Sequence, residues 1–279
     1  MNGIHILSTS PSCCRGERFS PQFFEVESCV LSALLWKKFN GPIKLYTDDA
    51  GLNYLKSVGL ASLWDIINVD TLNSIAKDID QKVFWAGAKL YALRAESAPV
   101  AMIDTDLFIW KDISSYCNYK KLVTLHREDL IECYPPIEGL NVAEGYSFKD
   151  WMDWTVKPCN TAFAFFSDES FKSFYVDDAI RFMKGNNKPS TYASSQMVFA
   201  EQRLLSMCAK HYGIVINTLI EDPYDTKNEL FTHLWGAKGI ARDNREQRKR
   251  LERALLEKIK CLSEDYYNRL CSLHSTEYN

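Results

Sequence analysis

Short apolar runs alternate with helix-like segments from residue 3 to residue 113, and this order limits the fold more than any other feature of the sequence. The strand-like runs are brief and strongly apolar, and they cover residues 3–7, 43–46, 66–69 and 100–103. The segments between them have helical spacing and cover residues 23–39, 52–58 and 81–94. This alternation is typical of an open sheet of parallel strands with helices on both faces. The sequence therefore predicts an α/β protein.

The second half of the chain is less regular. Its predicted strands cover residues 121–125, 161–166 and 214–220, and its predicted helices cover residues 171–184, 195–212 and 243–274. Residues 127–157 are rich in Pro, Gly, Trp and acidic residues but show no clear period. A loop of this length in a compact domain is usually functional.

Asp104 and Asp106 stand between two apolar runs, residues 100–103 and 107–110. Side chains two residues apart on an extended chain point to the same side, so both carboxylates can converge on one hard cation at a strand end. The alternative is a polar turn between two strands, or a pair that caps a helix. We favour the cation site because such turns usually contain Gly, Asn or Pro, whereas Thr105 favours strands.

Composition excludes several classes of protein. Of the 279 residues, 46% are hydrophobic and 13% are aromatic, which is typical of a well-packed globular protein and not of a disordered one. The formal net charge of −3 argues against a nucleic-acid-binding protein. The nine cysteines are odd in number and scattered, without a C-x-x-C pair, so we expect reduced thiols and no zinc site.

No apolar run approaches the length that spans a bilayer. The N-terminal residues MNGIHILSTS lack a basic segment followed by a long apolar one, which a secretory signal would have. We therefore expect a cytoplasmic protein.

Two further segments contain candidate catalytic or metal-binding residues. Glu201 lies in the middle of the apolar face of the predicted helix 195–212, so it is either part of a structural salt bridge or a catalytic residue. The segment FTHLWGAKG places His233 and Lys238 on either side of Gly236. A lone histidine is more often structural than a ligand, but the aspartate pair gives this one a metal-binding context.

Asp104, Asp106 and His233 together would hold Mg²⁺ or Mn²⁺, and the imidazole favours Mn²⁺. Lys238 would neutralise a phosphate as a point charge. The metal and the lysine would stabilise the negative charge that develops on a departing diphosphate. These residues predict a site where a diphosphate leaves.

The same residues resemble motifs of the nucleotide-sugar glycosyltransferases of the GT-A fold. Asp104 and Asp106, behind an apolar strand, are similar to the D-x-D metal motif of that family. FTHLWGAKG resembles the H-x-x-G-x-x-K motif of the glycogenin-like and lipopolysaccharide-galactosyltransferase-like members. The resemblance covers residues 3–240. His233 and Lys238 are one residue closer together than in the family pattern, and Glu201 stands where the family has aspartate.

The resemblance implies a role for each matching residue. It implies that Asp104, Asp106 and His233 hold the metal, and that Glu201 and Gln202 are catalytic and face the donor sugar. From the residues alone, Ser8 and Thr9 form either a ligand-binding turn after the first strand or a surface loop. The residues that the resemblance places around the nucleotide sugar are Ser8, Thr9, Asp48, Lys89, Asp104, Thr105, Asn160, Thr161 and Lys238.

The resemblance also implies a fold and an activity. The fold would be a GT-A-type, Rossmann-like mixed sheet, mostly parallel and flanked by helices, with a C-terminal helical extension. The activity would be metal-dependent transfer of a sugar from a nucleotide-diphosphate sugar, expected to be UDP-linked, to a glycan or lipid-linked acceptor in surface polysaccharide synthesis. Retention of anomeric configuration is implied; an inverting enzyme would use Glu201 to deprotonate the acceptor hydroxyl. Trp151 and Trp154 either stack on sugar rings or belong to the core.

Other classes of protein fit the sequence less well. A nucleotidyltransferase should have a Gly-rich, Lys-bearing loop after the first strand, which LSTSPSCCRGER does not provide. A haloacid-dehalogenase-like phosphatase carries D-x-D directly after its first strand, with Thr or Val where this chain has Phe108. The non-enzymatic alternative is a catalytically degenerate GT-A-fold protein that binds a partner through its C-terminal helix.

We expect a catalytic domain over residues 1–240 and one amphipathic helix over residues 241–279. The first half of this helix is basic, and an apolar seam runs along it. Residues 242–274 would contact a membrane surface or a partner protein, or would pack on their own domain with the basic face in solvent. We favour packing on the domain; a membrane contact would place the protein at the inner membrane surface.

Overall fold

A mixed β-sheet forms the centre of the computed structural model, which describes residues 1–13, 16, 18–190, 192–225 and 227–277. Part of the segment LSTSPSCCRGER and the last two residues of the predicted C-terminal helix lie outside the described residues. In chain order the strands are β1 (Gly3–Leu7), β2 (Ile43–Thr47), β3 (Ile66–Asn68), β4 (Val100–Ile103), β5 (Leu107–Ile109), β6 (Leu122–Thr124), β7 (Phe163–Phe166), β8 (Ile216–Thr218) and β9 (Phe231–His233).

The helices surround this sheet and vary greatly in length. They are α1 (Ser10–Cys13), α2 (Phe23–Phe39), α3 (Asp49–Ser57), α4 (Asp70–Asn73), α5 (Gly87–Ala95), α6 (Ser114–Cys117), α7 (Glu169–Met183), α8 (Ser195–Val198), α9 (Leu204–Tyr212), α10 (Trp235–Asp243), α11 (Arg245–Leu262) and α12 (Glu264–Glu277). Single 3₁₀ turns span Ala61–Leu63 and Ile137–Gly139.

Seven strands form one sheet in the order β3-β2-β1-β4-β7-β6-β8. The strands β3, β2, β1 and β4 run parallel, β7 is antiparallel to both of its neighbours, and β8 is parallel to β6. The strands β5 and β9 form a separate antiparallel pair. The expected mixed, mostly parallel sheet flanked by helices, with a helical C-terminal part, is therefore confirmed.

Alternate side chains of the central strands enter two hydrophobic cores, one on each face of the sheet. On β4, Val100 and Met102 join the core that contains residues of α5, α7 and α9. Ala101 and Ile103 join the core that contains residues of α2 and α11. All four side chains are at most 1% exposed, as expected for a strand covered on both faces.

The predicted helix at residues 81–94 is wrong in its first half, because α5 begins only at Gly87. Turns precede it, and the carboxylate of Asp80 accepts a hydrogen bond from the backbone N–H of Lys82 (2.8 Å). A side chain that bonds to the backbone two residues on stabilises a turn in place of a helix. Val83 is still buried because the turn folds onto the same core.

The predicted helix at residues 195–212 is continuous but contains one wider turn. A π-helical turn over Phe199–Arg203 separates α8 from α9. Such a turn accommodates one additional residue, and it is frequent at functional sites.

The prediction of one long helix over residues 243–274 is also wrong. The helix α10 ends at Asp243, and α11 and α12 are separated at Ser263, whose backbone is extended (φ −158°, ψ 112°). The apolar side of α11 packs on α2, with Leu255 and Ile259 buried. The helix α10 spans the expected domain boundary at residue 240, so no break between helices marks that boundary. The division into two domains stays a prediction. No helix in the described ranges is long and apolar enough to cross a membrane.

The two tryptophans of the long loop are half-buried and pack against the core. Trp151 stacks on His211, with ring centroids 4.5 Å apart, and Trp154 stacks on Phe199, with centroids 5.7 Å apart. Both indoles pack against the core beside α7 and α9. These contacts favour the core alternative for both residues, and their stacking on sugar rings stays a prediction.

Candidate functional site

The turn between β4 and β5 carries the two aspartates. The N–H of Leu107 donates to the carbonyl of Asp104 (3.0 Å), and the N–H of Asp104 donates to the carbonyl of Ala162, just before β7 (2.8 Å). The carboxylates of Asp104 and Asp106 therefore converge through a tight turn, and not along one extended strand as predicted. The turn and the candidate cation site, which the sequence presented as alternatives, occur together.

The pairing of β5 with β9 brings a histidine to this turn. Leu107 is opposite His233 in the ladder, and the N–H of Leu234 donates to the carbonyl of Asp106 (3.2 Å). One ligand atom from each of Asp104, Asp106 and His233 lies within 4.8 Å of the other two. The sequence predicted these three residues but not the strand pair that joins them.

The chemistry of this cluster fits a divalent cation. Oδ2 of Asp106 is buried and makes no hydrogen bond, and the nearby ammonium group of Lys238 compensates its charge. The same oxygen lies 3.6 Å from Nε2 of His233. Two carboxylates and one imidazole are ligands that suit Mn²⁺. They also suit Mg²⁺, although Mg²⁺ has a lower preference for nitrogen ligands than Mn²⁺ has.

Burial and neighbouring charges set the protonation of these ligands. Burial lowers the pKa of His233 below its ordinary value, against the opposing attraction of Asp106 and Asp104, so the imidazole is neutral. Burial raises the pKa of Asp104, but the charge of Lys89 outweighs it and holds this pKa below its ordinary value. A neutral imidazole and an ionised carboxylate are the forms that bind a metal.

Lys89 joins the aspartates to Glu201. Its Nζ lies 2.5 Å from Oδ1 of Asp104 and 2.8 Å from Oε1 of Glu201. The hydroxyl of Thr161 donates to the same Glu201 oxygen (2.8 Å). Burial lowers the pKa of Lys89, but Asp104 and Glu201 outweigh it and hold the pKa above its ordinary range. Glu201, with its side chain 2% exposed, is therefore part of a buried salt bridge beside the candidate cation site.

Lys238 lies on the other side of the cluster. Its Nζ is 2.6 Å from Oδ2 of Asp106, at angles outside those of a hydrogen bond. The side chain reaches Asp106 from α10, which begins two residues after His233. Each aspartate of the pair thus has its own lysine.

Asn160 and Thr105 lie close to the cluster but have different surroundings. The amide of Asn160 donates to Oε1 of Glu128 (2.7 Å), and its side-chain oxygen accepts from the N–H of Ala162 (3.0 Å). These bonds hold the chain that leads into β7. Thr105 lines a cavity together with Asp106.

Ser8, Thr9 and Asp48 meet at the carboxyl ends of β1 and β2. The N–H of Thr9 (2.7 Å) and its hydroxyl (2.8 Å) both donate to the Asp48 carboxylate, and the Ser8 hydroxyl lies 3.5 Å from it. Asp48 also accepts from the N–H of Gly51 (2.9 Å) and so caps α3. The structure brings the three residues together; their contact with a nucleotide stays a prediction.

A cavity of about 550 Å³ opens beside Asp106 and Lys238. This volume lies within the range of sites that bind small molecules and cofactors. Apolar side chains form much of its wall, and they include Leu7, Val26, Val30, Tyr54, Leu55, Leu60 and Trp64. The charged residues of the wall are Arg18, Glu25, Asp106, Lys238 and Arg242.

Residues 16–272 match the model of a family of unknown function, DUF6734. This match spans most of the chain. The chain belongs to the DUF6734 family. A search of curated proteins finds no match for it.

The DUF6734 chain is similar to solved structures of glycosyltransferases. Mouse xyloside xylosyltransferase 1 is 11% identical with a TM-score of 0.39, over 78% of this chain and 85% of the other. The PaToxG glycosyltransferase is 14% identical with a TM-score of 0.38, over 98% of this chain and 86% of the other. The galactosyltransferase LgtC, in complex with donor and acceptor sugar analogues, is 8% identical with a TM-score of 0.37, over 72% and 70%.

Sequence reasoning missed two residues beside the site of this DUF6734 protein. The hydroxyl of Tyr134 donates to Oε1 of Gln202 within the π-helical turn. The guanidinium of Arg203 donates to the carbonyls of Tyr134 (3.1 Å), Pro135 (2.5 Å) and Trp154 (2.6 Å), which fixes the long loop to the same turn. The one signal in the sequence was that Arg203 directly follows Gln202 on a predicted apolar helix.

Proposed function

We propose that this DUF6734 protein is a metal-dependent glycosyltransferase that moves a sugar from a nucleotide-diphosphate sugar to an acceptor hydroxyl. The observation that carries the proposal is the cluster of Asp104, Asp106 and His233, with Lys238 beside it; Asp106 and Lys238 line a cavity of about 550 Å³. A nucleotide fits a cavity of this size, and its diphosphate would meet a cation and a lysine together.

The residues of the chain divide the work of such a transfer. Asp104, Asp106 and His233 would hold Mn²⁺ or Mg²⁺, which supplies positive charge to the diphosphate when the bond to the sugar breaks. Lys238 contributes a second positive charge to the leaving diphosphate. Partial burial of Lys238 and of the aspartates strengthens these interactions, because the effective dielectric constant falls away from water.

We propose that Glu201 and Gln202 face the donor sugar from the π-helical turn. Glu201 is held by Lys89 and Thr161 and is almost fully buried, which makes it a poor base toward an acceptor hydroxyl. This supports a retaining reaction, in which Glu201 and Gln202 stabilise positive charge on the sugar. NMR of the product anomer tests this part of the proposal, and an inverted product would contradict it.

The remaining partners belong to the same proposal. We propose a UDP-linked donor, bound also by Thr105 at the cavity wall and by Asn160 just before β7. Ser8, Thr9 and Asp48 are proposed to contact the base and ribose from the ends of β1 and β2. The acceptor is proposed to be a glycan or a lipid-linked glycan of surface polysaccharide synthesis.

A donor screen tests the activity directly. The purified chain is incubated with UDP-, GDP-, ADP- and CMP-linked sugars, with Mn²⁺, Mg²⁺ or EDTA, and release of the nucleotide is measured. We expect metal-dependent hydrolysis of one class of donor and its loss in EDTA. Metal-dependent binding without turnover would instead indicate a binding module, and release of pyrophosphate from a nucleoside triphosphate and a sugar phosphate would indicate a nucleotidyltransferase. Absence of any metal-dependent binding or turnover would contradict the proposal.

A further inference from the structure

The two lysines of the site contact their carboxylates differently. Lys89 is shared by Asp104 and Glu201, whereas Asp106 is the single carboxylate within 4.0 Å of Lys238 in the described part of the chain. The side chain of Lys238 is also more exposed, 31% against 16% for Lys89. Lys238 is therefore the lysine that can leave its carboxylate at the lower cost, because water can solvate its charge.

Lys238 already stands at Oδ2 of Asp106, an oxygen that a metal ion in the cluster can use. The side chain is 4% exposed, and Nζ of Lys238 lies 2.6 Å from this oxygen. A cation bound to this oxygen would stand close to the ammonium group of Lys238. Two positive charges so close together repel strongly in a partly buried site. A cation at Asp106 would therefore push Lys238 away from this carboxylate.

The cavity offers the displaced ammonium group a new partner. Asp106 and Lys238 both line it, so a ligand in the cavity that carries phosphate groups can reach both. Arg242, one turn further along α10, also lines the cavity and is already paired with Glu25 (2.5 Å). Lys238 is therefore the residue of α10 whose charge is available to an anionic ligand once a cation occupies Asp106.

We propose that Lys238 is an internal counter-ion that makes this site bind a divalent cation and a diphosphate as a pair. The inference rests on the proposed function of the same site. A cation alone must displace Lys238 from Asp106 without giving the ammonium a new partner. A cation together with a diphosphate supplies phosphate oxygens in place of the carboxylate. Each ligand therefore strengthens the binding of the other, by the same factor.

Two binding measurements on Lys238→Met test this inference, and they change in opposite directions. Without nucleotide, the variant binds Mn²⁺ more tightly than the wild type, because no ammonium competes for Asp106; electron paramagnetic resonance of free Mn²⁺ measures this. With saturating Mn²⁺, the variant binds UDP more weakly, which calorimetry measures. We expect coupling of roughly 5- to 150-fold between Mn²⁺ and UDP in the wild type, and weaker coupling in the variant, in which only the direct attraction between the cation and the diphosphate remains.

Two further variants control the experiment. Lys249→Met removes an exposed lysine of α11 and should leave both affinities unchanged. Lys238→Arg keeps the charge and should keep the coupling, and thermal unfolding verifies that every variant is folded. If wild-type protein binds Mn²⁺ with UDP but Lys238→Met leaves the affinity for Mn²⁺ alone unchanged or weaker, the counter-ion role is wrong and the proposed function stands. If the wild type binds no nucleotide with Mn²⁺, the proposed function itself fails.

Discussion

The side chains of the candidate site carry more negative than positive charge. The carboxylates of Asp104, Asp106 and Glu201 outnumber the ammonium groups of Lys89 and Lys238, and the histidine beside them is held neutral by burial. Buried charges of one sign are expensive unless they are compensated. A cluster with one more carboxylate than ammonium groups has a net negative charge that a bound cation would balance.

Asp106→Asn tests the cation site at this scale. The amide keeps the shape of the carboxylate but loses its charge, so we expect the affinity for Mn²⁺ to fall by roughly 100-fold or more. The fold should persist, because the backbone bonds of the turn do not involve this side chain. Electron paramagnetic resonance measures Mn²⁺ binding, and thermal unfolding measures stability. Asp150→Asn, at an exposed position, is the matched control; wild-type affinity in Asp106→Asn would remove Asp106 from the ligand set.

At the scale of elements, one π-helical turn organises the side of the site that faces the long loop. It directs Glu201 to Lys89, and it directs Gln202 to Tyr134 of the loop. The carbonyl of Glu201 also accepts a hydrogen bond from the hydroxyl of Tyr175 (2.7 Å) on α7. Adjacent residues can face different partners because the wider turn changes the angular spacing of their side chains.

Arg203→Met tests how this turn holds the loop. The guanidinium donates to three loop carbonyls, and its loss leaves them without that donor, so we expect a loss of about 2–4 kcal/mol of stability. We also expect faster hydrogen exchange and proteolysis within residues 127–157. Arg203→Lys keeps a single donor group, so its stability and the protection of its loop should lie between those of the wild type and those of Arg203→Met. Arg253→Met, exposed on α11, provides the control, and equal protection of the loop in all variants would contradict this anchoring role.

Local sequence patterns predicted the central strands and helices. A strand buried on both faces, such as β4, is an uninterrupted run of apolar residues, and a helix such as α2 repeats its apolar residues with helical spacing. The strands β5 and β9 were missed because three residues are too few to show alternation, and their partners lie more than a hundred residues apart. The break at Ser263 carries no Gly or Pro, so nothing local signals it. Asp104, Asp106 and His233 were predicted by residue type, whereas the contact of Tyr134 with Gln202 depends on the tertiary fold of the long loop.

At the scale of the whole molecule, the C-terminal helices α11 and α12 pack on α2 over a buried carboxyl group. Glu27 of α2 is fully buried, and neither of its oxygens has a hydrogen-bond partner. Burial, and after it the electrostatic influence of Glu252 on α11 and of Cys271 on α12, raises the pKa of Glu27 to about 10. The imidazole of His274 on α12 lies 4.0 Å from Oε1 of Glu27. Glu27 is therefore protonated at neutral pH, and its acid form is what the helix interface accommodates.

Glu27→Gln should stabilise the whole chain, and increasingly so as the pH rises. The pKa of Glu27 is raised in the folded state, so its proton is bound in both states below about pH 4.5 and only in the folded state between about 4.5 and 10. Between these pH values the free energy of unfolding of the wild type falls by up to about 1.4 kcal/mol for each pH unit, relative to the variant, whose glutamine cannot ionise. Denaturant unfolding of both proteins at pH 5, 7 and 9 measures the difference, with the exposed Glu257→Gln on α11 as control. A difference that stays constant with pH would mean that Glu27 is ionised in the folded protein, and that the helices α11 and α12 close over a charge instead of a neutral acid.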